Sequence, residues 1–228
     1  KFNRMEEVPL EKLLLYNGLD AHIGRALMYK QIDEFKRKND NYKRAFNFFM
    51  ESVRDLAEIQ ISGIPVDEEY YVEAKKRIGE QIKQHQEKME QSEGAIKYKQ
   101  IHYGKKIDWE SNKVLSEIFY DILKLPEFRT VKNNRSVDKF AIEELNHPLA
   151  NELRTYRKLL KIEDYINQFL KATNDGMMHP SFDLNRVVTY RSSASDPSFQ
   201  NIPVRDEEAM LCCRSGIKAP DGWQILES

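Results

Sequence analysis

Apolar residues recur at helical spacing along the first third of the chain. Residues 9–38 and 44–61 carry large apolar side chains three or four positions apart, a pattern that predicts two helices. The second should end at the Gly-Ile-Pro sequence of residues 63–65, because glycine favours a helix C-terminus and proline cannot continue a helix. Asp67 is then a suitable N-cap for a long charged helix to about residue 92. That helix has so few apolar residues that it must project into solvent or pair along a thin seam.

The rest of the chain continues the helical pattern and then changes its period. Residues 109–125, 137–145 and 149–171 predict three further helices. The Asn-Asp-Gly sequence of residues 174–176 is a turn signal, and residues 177–188 alternate between apolar and polar like a strand. We therefore expect a mainly α fold with a small α+β part, in which long antiparallel helices precede short antiparallel strands near the C-terminus.

The composition is that of an ordinary intracellular chain and excludes few functions. Of the 228 residues, 40% are hydrophobic and 32% are charged. No apolar run approaches the roughly 20 residues that span a bilayer, and the chain does not start with an apolar signal core, so we expect no membrane partner. Cys212 and Cys213 are adjacent, which is not the spacing of a zinc site, and should pack as small apolar groups. The first residue is Lys1 rather than Met, which favours a segment of a longer protein.

The distribution of charge is more informative than its sum, which is a net charge of -1. Residues 75–106 contain nine Lys or Arg against four Glu, and residues 154–161 contain four bases and no acid. Further bases surround a polar segment at Arg129, Lys132, Arg135 and Lys139. Each cluster alone is typical of a solvated helix face. Three of them on one chain favour a surface that follows phosphates.

Four segments carry a resemblance to a known family. Residues 62–67 read Ser-Gly-Ile-Pro-Val-Asp, and residues 111–126 run from Ser-Asn-Lys-Val-Leu to Leu-Lys-Leu-Pro. Residues 156–161 read Tyr-Arg-Lys-Leu-Leu-Lys, and residues 188–203 contain Thr-Tyr-Arg-Ser-Ser followed by Phe-Gln-Asn-Ile-Pro. In this order and spacing they resemble the thumb entry, two thumb helices and the opening of the palm in bacterial DNA polymerase I-type (family A) DNA polymerases.

The resemblance implies a division of the chain and a function. Residues 1–40 would be the C-terminal end of a 3'-5' exonuclease-like domain, residues 41–175 the thumb with its connecting helix, and residues 176–228 the start of the palm. The chain would be the primer-template-binding part of a DNA-directed DNA polymerase, a nucleotidyltransferase of DNA replication or repair. Its partners would be primer-template DNA and the remaining palm and fingers. The location would be the cytoplasm or nucleoid of a cell, or the cytoplasm of a virus-infected host.

The resemblance also places the reaction centre outside this sequence. In the family, the buried strand that matches residues 223–226 leads into an aspartate that binds the catalytic metals, and the match puts that aspartate directly after Ser228. We therefore expect Mg²⁺ in the complete enzyme, no cofactor in this chain alone, and no activity of this chain alone.

Three basic residues are candidates for contacts with DNA phosphates. A polymerase must hold any duplex, so it contacts phosphates through Lys and Arg rather than reading sequence. Lys113, Arg157 and Lys161 lie in the two segments that resemble thumb helices.

Three further residues are candidates for contacts near the primer end. Minor-groove acceptors look alike in A·T and T·A pairs, so donors there can test pairing without reading sequence. Arg191, Gln200 and Asn201 carry such donors and match family positions that contact the duplex next to the active site. Without the resemblance, Arg191 reads as a surface ion-pair arginine and residues 200–201 as a polar turn. The chain departs from the family at Tyr190, where Gly is usual, and at Ser198, where a second Asn is usual.

Tyr16 and Asp20 carry a second resemblance, to the third motif of the proofreading 3'-5' exonuclease domain. Their spacing of four residues puts both side chains on one helix face. In the family, the aspartate binds a divalent metal and the tyrosine orients the attacking water. The carboxylates of the other two motifs would lie upstream of Lys1, so the resemblance implies a remnant. A Tyr-Asp pair at this spacing is otherwise a surface hydrogen bond.

Two other classes of function remain open from the residues. One is a non-enzymatic DNA-binding or polymerase-accessory module that keeps the thumb. The other is a helical interaction protein whose charged helices pair with another protein, which predicts no salt-dependent binding to DNA.

Overall fold

The computed structural model describes residues 7–189 and 191–225. The α-helices are α1 (Leu10–Lys36), α2 (Asp40–Ser62), α3 (Glu68–Glu90), α4 (Glu93–Ile101), α5 (Asn112–Ser116), α6 (Lys139–Glu144), α7 (Pro148–Ala172) and α8 (Glu207–Arg214). The strands are β1 (Ile64–Pro65), β2 (Thr173–Asn174), β3 (Met177–Met178), β4 (Ser181–Asp183) and β5 (Ser193–Ser195). This mainly helical architecture with short antiparallel strands confirms the predicted fold class.

The chain forms two compact units, Lys1–Ala57 and Glu58–Ser228. The first contains α1 and most of α2, which confirms the two helices predicted there. The ring of Phe35 lies 6.0 Å from that of Tyr42 and 4.7 Å from that of Phe46 across the turn between them. No residue of α1 is buried, although its apolar residues follow the helical period.

The core of the second unit is the pairing of α3 with α7. The ring of Tyr71, near the start of α3, lies 5.4 Å from the ring of Phe169, near the end of α7. At the opposite ends, His85 Nδ1 lies 2.5 Å from Glu152 Oε2, so the two helices are antiparallel. The buried residues of α3 are Tyr71, Ala74, Ile78, Ile82 and Met89. They form the thin apolar seam that the charged sequence predicted.

A second group of helices packs beside this pair. Helix α4 was not predicted; its N-cap is Ser92, at the position where the preceding helix was expected to end, and the Ser92 side chain accepts from the Ala95 amide. The helix predicted over residues 109–125 is present as α5 and a π-helical turn, Glu117–Ile122. The Leu123 amide donates to the Ile118 carbonyl at 2.9 Å, a bond that spans five residues.

The strands are shorter than the alternating pattern predicted. β3 pairs with both β1 and β2, and β4 pairs with β5, all antiparallel. The strand predicted over residues 177–188 is divided into β3 and β4, with Pro180 between them. Proline has no amide hydrogen for a ladder bond, which is a reason for the interruption.

Two segments that are distant in sequence close the second unit. The Asp67 amide donates to the Gly216 carbonyl at 2.7 Å, and the Lys218 amide donates to the Pro65 carbonyl at 2.9 Å. A Cβ atom on Gly216 would lie 2.4 Å from Tyr71 Cζ, so only glycine allows this approach. These contacts hold the end of α8 against the start of α3.

The two cysteines pack in the core, as predicted. Both are buried on α8, and burial raises the pKa of Cys213 to about 12. The Tyr71 hydroxyl donates to the Cys213 carbonyl at 2.8 Å. Cys213 is therefore a small apolar group rather than a reactive thiolate.

Candidate nucleic-acid interface

A groove of about 880 Å³ runs along α7 and is bounded by α6 and by residues 200–209. Six basic residues line it against two acidic ones. The basic residues are Lys139, Arg154, Arg157, Lys158, Lys161 and Arg205, and the acidic residues are Glu143 and Asp206. The excess of positive charge suits a polyanion.

Helix α7 presents one row of these bases because of its period. Arg154, Lys158 and Lys161 are three or four residues apart, so they lie on the same face. The buried residues of α7, from Leu149 to Phe169, occupy the opposite face and pack in the core. Core packing therefore fixes the direction in which the basic row points.

Arg157 is tied to the protein itself. Its Nη1 atom donates to the Val137 carbonyl at 2.6 Å, just before α6. Burial lowers the pKa of this half-buried guanidinium, which stays charged because an arginine pKa lies so far above neutral pH. Arg157 therefore joins α7 to the α6 segment and keeps its remaining N–H donors at the groove.

Lys158 has acidic partners from the other wall of the groove. Its Nζ atom lies 2.5 Å from Glu208 Oε2 and 3.5 Å from Asp206 Oδ2. Burial acts to lower the pKa of Lys158, but the hydrogen bond with Glu208 and the nearby charges leave it raised. Lys161 is exposed one turn later, and no acidic side chain of the described residues forms an ion pair with it. Lys161 is therefore the more available of the two ammonium groups.

Gln200 and Asn201 lie on a single 3-10 turn, Phe199–Asn201, and line the same groove. Gln200 Nε2 donates to Ser192 Oγ at 2.9 Å, and Asn201 Nδ2 donates to Ser198 Oγ at 2.6 Å. Ser198, one of the two departures from the family pattern, thus supports Asn201. The other departure, Tyr190, lies outside the described residues.

The structure brings four of the predicted DNA-binding residues together: Arg157, Lys161, Gln200 and Asn201. Arg191 is exposed and does not line the groove, although it directly precedes Ser192, which holds Gln200. Lys113 is exposed on α5, also outside the groove.

Tyr16 and Asp20 are both exposed on α1, in the first unit. Among residues 7–189 and 191–225 there is no group of three or more His, Cys, Asp or Glu that could hold a metal ion. Mg²⁺ requires several oxygen ligands in an octahedral arrangement, so Asp20 and its described neighbours do not fit this ion.

The basic segment around residues 129–135 is largely neutralised. Arg135 donates to both carboxylate oxygens of Asp121, at 2.6 and 2.9 Å. Arg129 lies 2.6 Å from Glu127, which Arg135 also contacts. This cluster therefore offers less unpaired positive charge to phosphates than the basic row of α7.

Three residues were not predicted from the sequence. Arg205 lines the groove, and Tyr165 and Ser192 form hydrogen bonds with residues that line it. The Tyr165 hydroxyl donates to the Asn201 carbonyl at 2.7 Å. Its position four residues after Lys161 puts it on the basic face of α7, a spacing that could have identified it.

No described helix of this chain is both long and apolar enough to cross a membrane.

Comparison with known proteins identifies similar polymerases. The chain is 29% identical over 178 residues to DNA polymerase I of Mycobacterium tuberculosis, which covers 76% of the chain and 18% of that protein. It is 25% identical over 219 residues to DNA polymerase I of Bacillus subtilis, covering 91% of the chain and 24% of that protein. The chain therefore spans about a fifth to a quarter of the curated relatives that it matches.

A solved structure has a similar fold. The polymerase domain of Pol1 from Mycobacterium smegmatis, in complex with DNA primer-template and dNTP, matches with a TM-score of 0.64 and 26% identity. The match covers 75% of this chain and 29% of the other. The sequence model of DNA polymerase family A matches residues 75–228, which include α7, the groove and α8. This chain belongs to DNA polymerase family A.

Proposed function

We propose that this chain is the primer-template-binding part of a DNA-directed DNA polymerase that acts in DNA replication or repair. The observation that carries the proposal is the groove that combines the basic face of α7 with the amide side chains of Gln200 and Asn201. The solved relative, which contains primer-template DNA, supports it.

The two walls of the groove have different roles in this proposal. Lys161 and Arg157, with Arg154 beside them, contact phosphates and hold any duplex regardless of its sequence. Gln200 and Asn201 present amide N–H groups to the acceptors of the minor groove, where Arg191 contributes a charged donor. Lys113 extends the phosphate contacts from α5.

Nucleotide transfer depends on residues from the rest of the polymerase. DNA polymerases use divalent metal ions such as Mg²⁺, which stabilise the charge of the transferring phosphate. We assign the ligands of these ions to the remaining palm and fingers, and expect no synthesis by this chain alone.

The division of the chain follows the same proposal. Residues 41–175 serve as the thumb with its connecting helix, and residues 176–228 begin the palm. Residues 1–40 end an exonuclease-like domain, in which Asp20 would hold a metal ion and Tyr16 would orient water only together with carboxylates from outside this chain.

Salt dependence of DNA binding tests the proposal. The 228-residue chain is titrated with a labelled primer-template duplex at several salt concentrations, with fluorescence anisotropy as the readout. We expect the logarithm of the binding constant to fall linearly with the logarithm of salt concentration, and Lys161→Ala to reduce the slope by about 0.9.

A lysine on the same helix is the matched control. Lys171 is exposed in the last turn of α7 and does not line the groove. Lys171→Ala should leave the slope unchanged. Binding that does not depend on salt, or equal effects of the two substitutions, would contradict the proposal, as would nucleotide incorporation by the wild-type chain alone.

A further inference from the structure

Tyr165 connects the basic face of α7 to the turn that carries the amide side chains. Its hydroxyl donates to the backbone carbonyl of Asn201 at 2.7 Å. Its ring is partly buried and lies 6.3 Å from that of Phe169, which is fully buried. A tyrosine ring anchored in the core at one side gives its hydroxyl a fixed position at the other.

The segment after Asn201 is fixed at two further points, one of which is a contact with α7. Ile202 is buried and belongs to the core. Asp206 lies 3.5 Å from Lys158 and caps α8 by accepting from the Ala209 amide at 3.0 Å. Asn201 is therefore exposed, while the residues that follow it are fixed. The hydrogen bond from Tyr165 connects Asn201 itself to α7.

The amide groups keep donors free for a ligand. A side-chain amide has two N–H hydrogens. The bonds of Gln200 to Ser192 and of Asn201 to Ser198 each use one hydrogen. The second hydrogen of each amide remains available, in a direction set by the backbone of the turn and by the serine.

We propose that Tyr165 is a positioning residue for minor-groove recognition. By holding the Asn201 carbonyl, it sets the place at which the Gln200 and Asn201 amides meet purine N3 and pyrimidine O2 atoms. The inference rests on the proposed function, because it requires that the groove binds primer-template DNA. Binding groups that are already oriented lose less entropy when they bind, so a fixed turn recognises these acceptors better than a mobile one.

A chemical change in the DNA separates this role from a general structural one. Replacing the N3 atom of purines by carbon in the terminal base pairs removes minor-groove acceptors and leaves every phosphate in place. The wild-type chain should bind the modified primer-template about 2- to 12-fold more weakly than the natural one, the range expected for one neutral hydrogen bond.

Tyr165→Phe removes the hydroxyl and retains the ring. In an anisotropy titration, this variant should bind natural and modified duplexes nearly equally, with the salt dependence of the wild type. Tyr70→Phe is the matched control, because the Tyr70 hydroxyl also donates to a backbone carbonyl, that of Cys212 at 3.2 Å, outside the groove. This control should keep the wild-type preference.

The outcomes are distinguishable. A Tyr165→Phe chain that still prefers the natural duplex overturns the inference and leaves the proposed function intact. Salt-dependent binding by a wild-type chain that does not distinguish the duplexes also overturns the inference, together with the minor-groove contacts proposed for Gln200 and Asn201, and leaves the proposed phosphate contacts intact. Loss of the preference in Tyr70→Phe as well would show a general structural effect and also overturn the inference. Salt-independent binding by the wild type would overturn the proposed function itself.

Discussion

Adjacent basic side chains on α7 have different surroundings, and these decide what each can bind. Arg157 uses one nitrogen on the Val137 carbonyl, Lys158 pairs with Glu208, and Lys161 is exposed. The sequence shows four bases without an acid between residues 154 and 161 and so predicts a basic face correctly. It cannot show that Glu208, 50 residues away, meets Lys158, because that contact depends on the packing of α8.

Arg191 allows a direct test of the proposed contact at the primer end. In the complete polymerase, Arg191→Ala should remove a hydrogen bond from a charged donor, a loss of about 1.5 to 3 kcal/mol. We expect incorporation efficiency to fall about 10- to 150-fold, measured by single-turnover incorporation on primer-template DNA.

Arg186 provides the control for this substitution. It is a nearby exposed arginine whose Nε atom lies 2.7 Å from Asp183 Oδ2. Arg186→Ala should leave incorporation nearly unchanged. If Arg191→Ala weakens only DNA affinity while Lys161→Ala slows the chemical step, the two residues have the opposite roles.

Helix α8 begins with a capping carboxylate that is also part of the groove. Hydrogen bonding from the Ala209 amide, with the charge of Lys158 nearby, holds the pKa of Asp206 below its ordinary value of 3.8. The folded chain thus favours the ionised form more than the unfolded chain does. The resulting stability is fully present above the ordinary pKa and is lost as the pH falls through the lower, folded value.

Substitutions of Asp206 should separate capping from charge. Asp206→Ala should lower the free energy of unfolding by about 1 kcal/mol at neutral pH, because alanine cannot cap the helix. Asp206→Asn keeps an equivalent cap, so its stability at neutral pH should be close to wild type and should fall less on acidification. Urea unfolding from about pH 7 to about pH 3 measures both effects.

Asp221→Asn, which changes an exposed aspartate in a turn, serves as the control for acidification and should behave like the wild type. Equal loss of stability in Asp206→Asn and the wild type at low pH would show that the ionised cap does not contribute.

Helix boundaries were more predictable than local irregularities. The cap at Asp67 and the Gly-Ile-Pro stop before α3 depend on neighbouring residues, so the sequence specifies them. The π-helical turn, whose Ile118 and Phe119 are buried, carries no such local signal. The division of the predicted strand into β3 and β4 likewise reflects pairing with β1 and β5, which lie far from each other in sequence.

The same distinction holds for the groove. Local patterns and the family resemblance identified Lys161, Gln200 and Asn201, which line it. The spacing of Tyr165 from Lys161 could have placed it on the basic face, but the local patterns could not show its bond to Asn201, because that contact crosses 36 residues and exists only in the folded chain. Nor did they show that Arg135 is bound to Asp121 and Glu127.

The two compact units differ in how much apolar surface they bury. Helix α1 has no buried residue, and Leu14, Ile23 and Leu27 are each more than half exposed. Helix α7 buries eight residues, from Leu149 to Phe169. The spacing of apolar residues in α1 predicted that helix correctly, but the spacing alone does not determine whether those residues are buried.

Hydrogen-deuterium exchange should reveal this difference in the 228-residue chain. Amides of α1 should exchange faster than amides of α3 and α7, because a helix with few buried contacts opens locally at a small free-energy cost. Mass spectrometry of peptides from each helix measures the rates. Protection of α1 equal to that of α7 would contradict the expected difference in stability.

The closure of α8 against α3 has a consequence for the order of events during synthesis. Tyr71 is synthesised 142 residues before Cys213, whose carbonyl accepts a hydrogen bond from the Tyr71 hydroxyl. Gly216 follows still later. At about 5 to 20 residues per second, a ribosome takes about 7 to 28 s to cover that interval. Helices α3 and α7 can pair as soon as both have emerged, but the Tyr71 end of their seam stays uncovered until α8 follows. In the newly made chain, this aromatic end therefore remains exposed to solvent for longer than the rest of the seam.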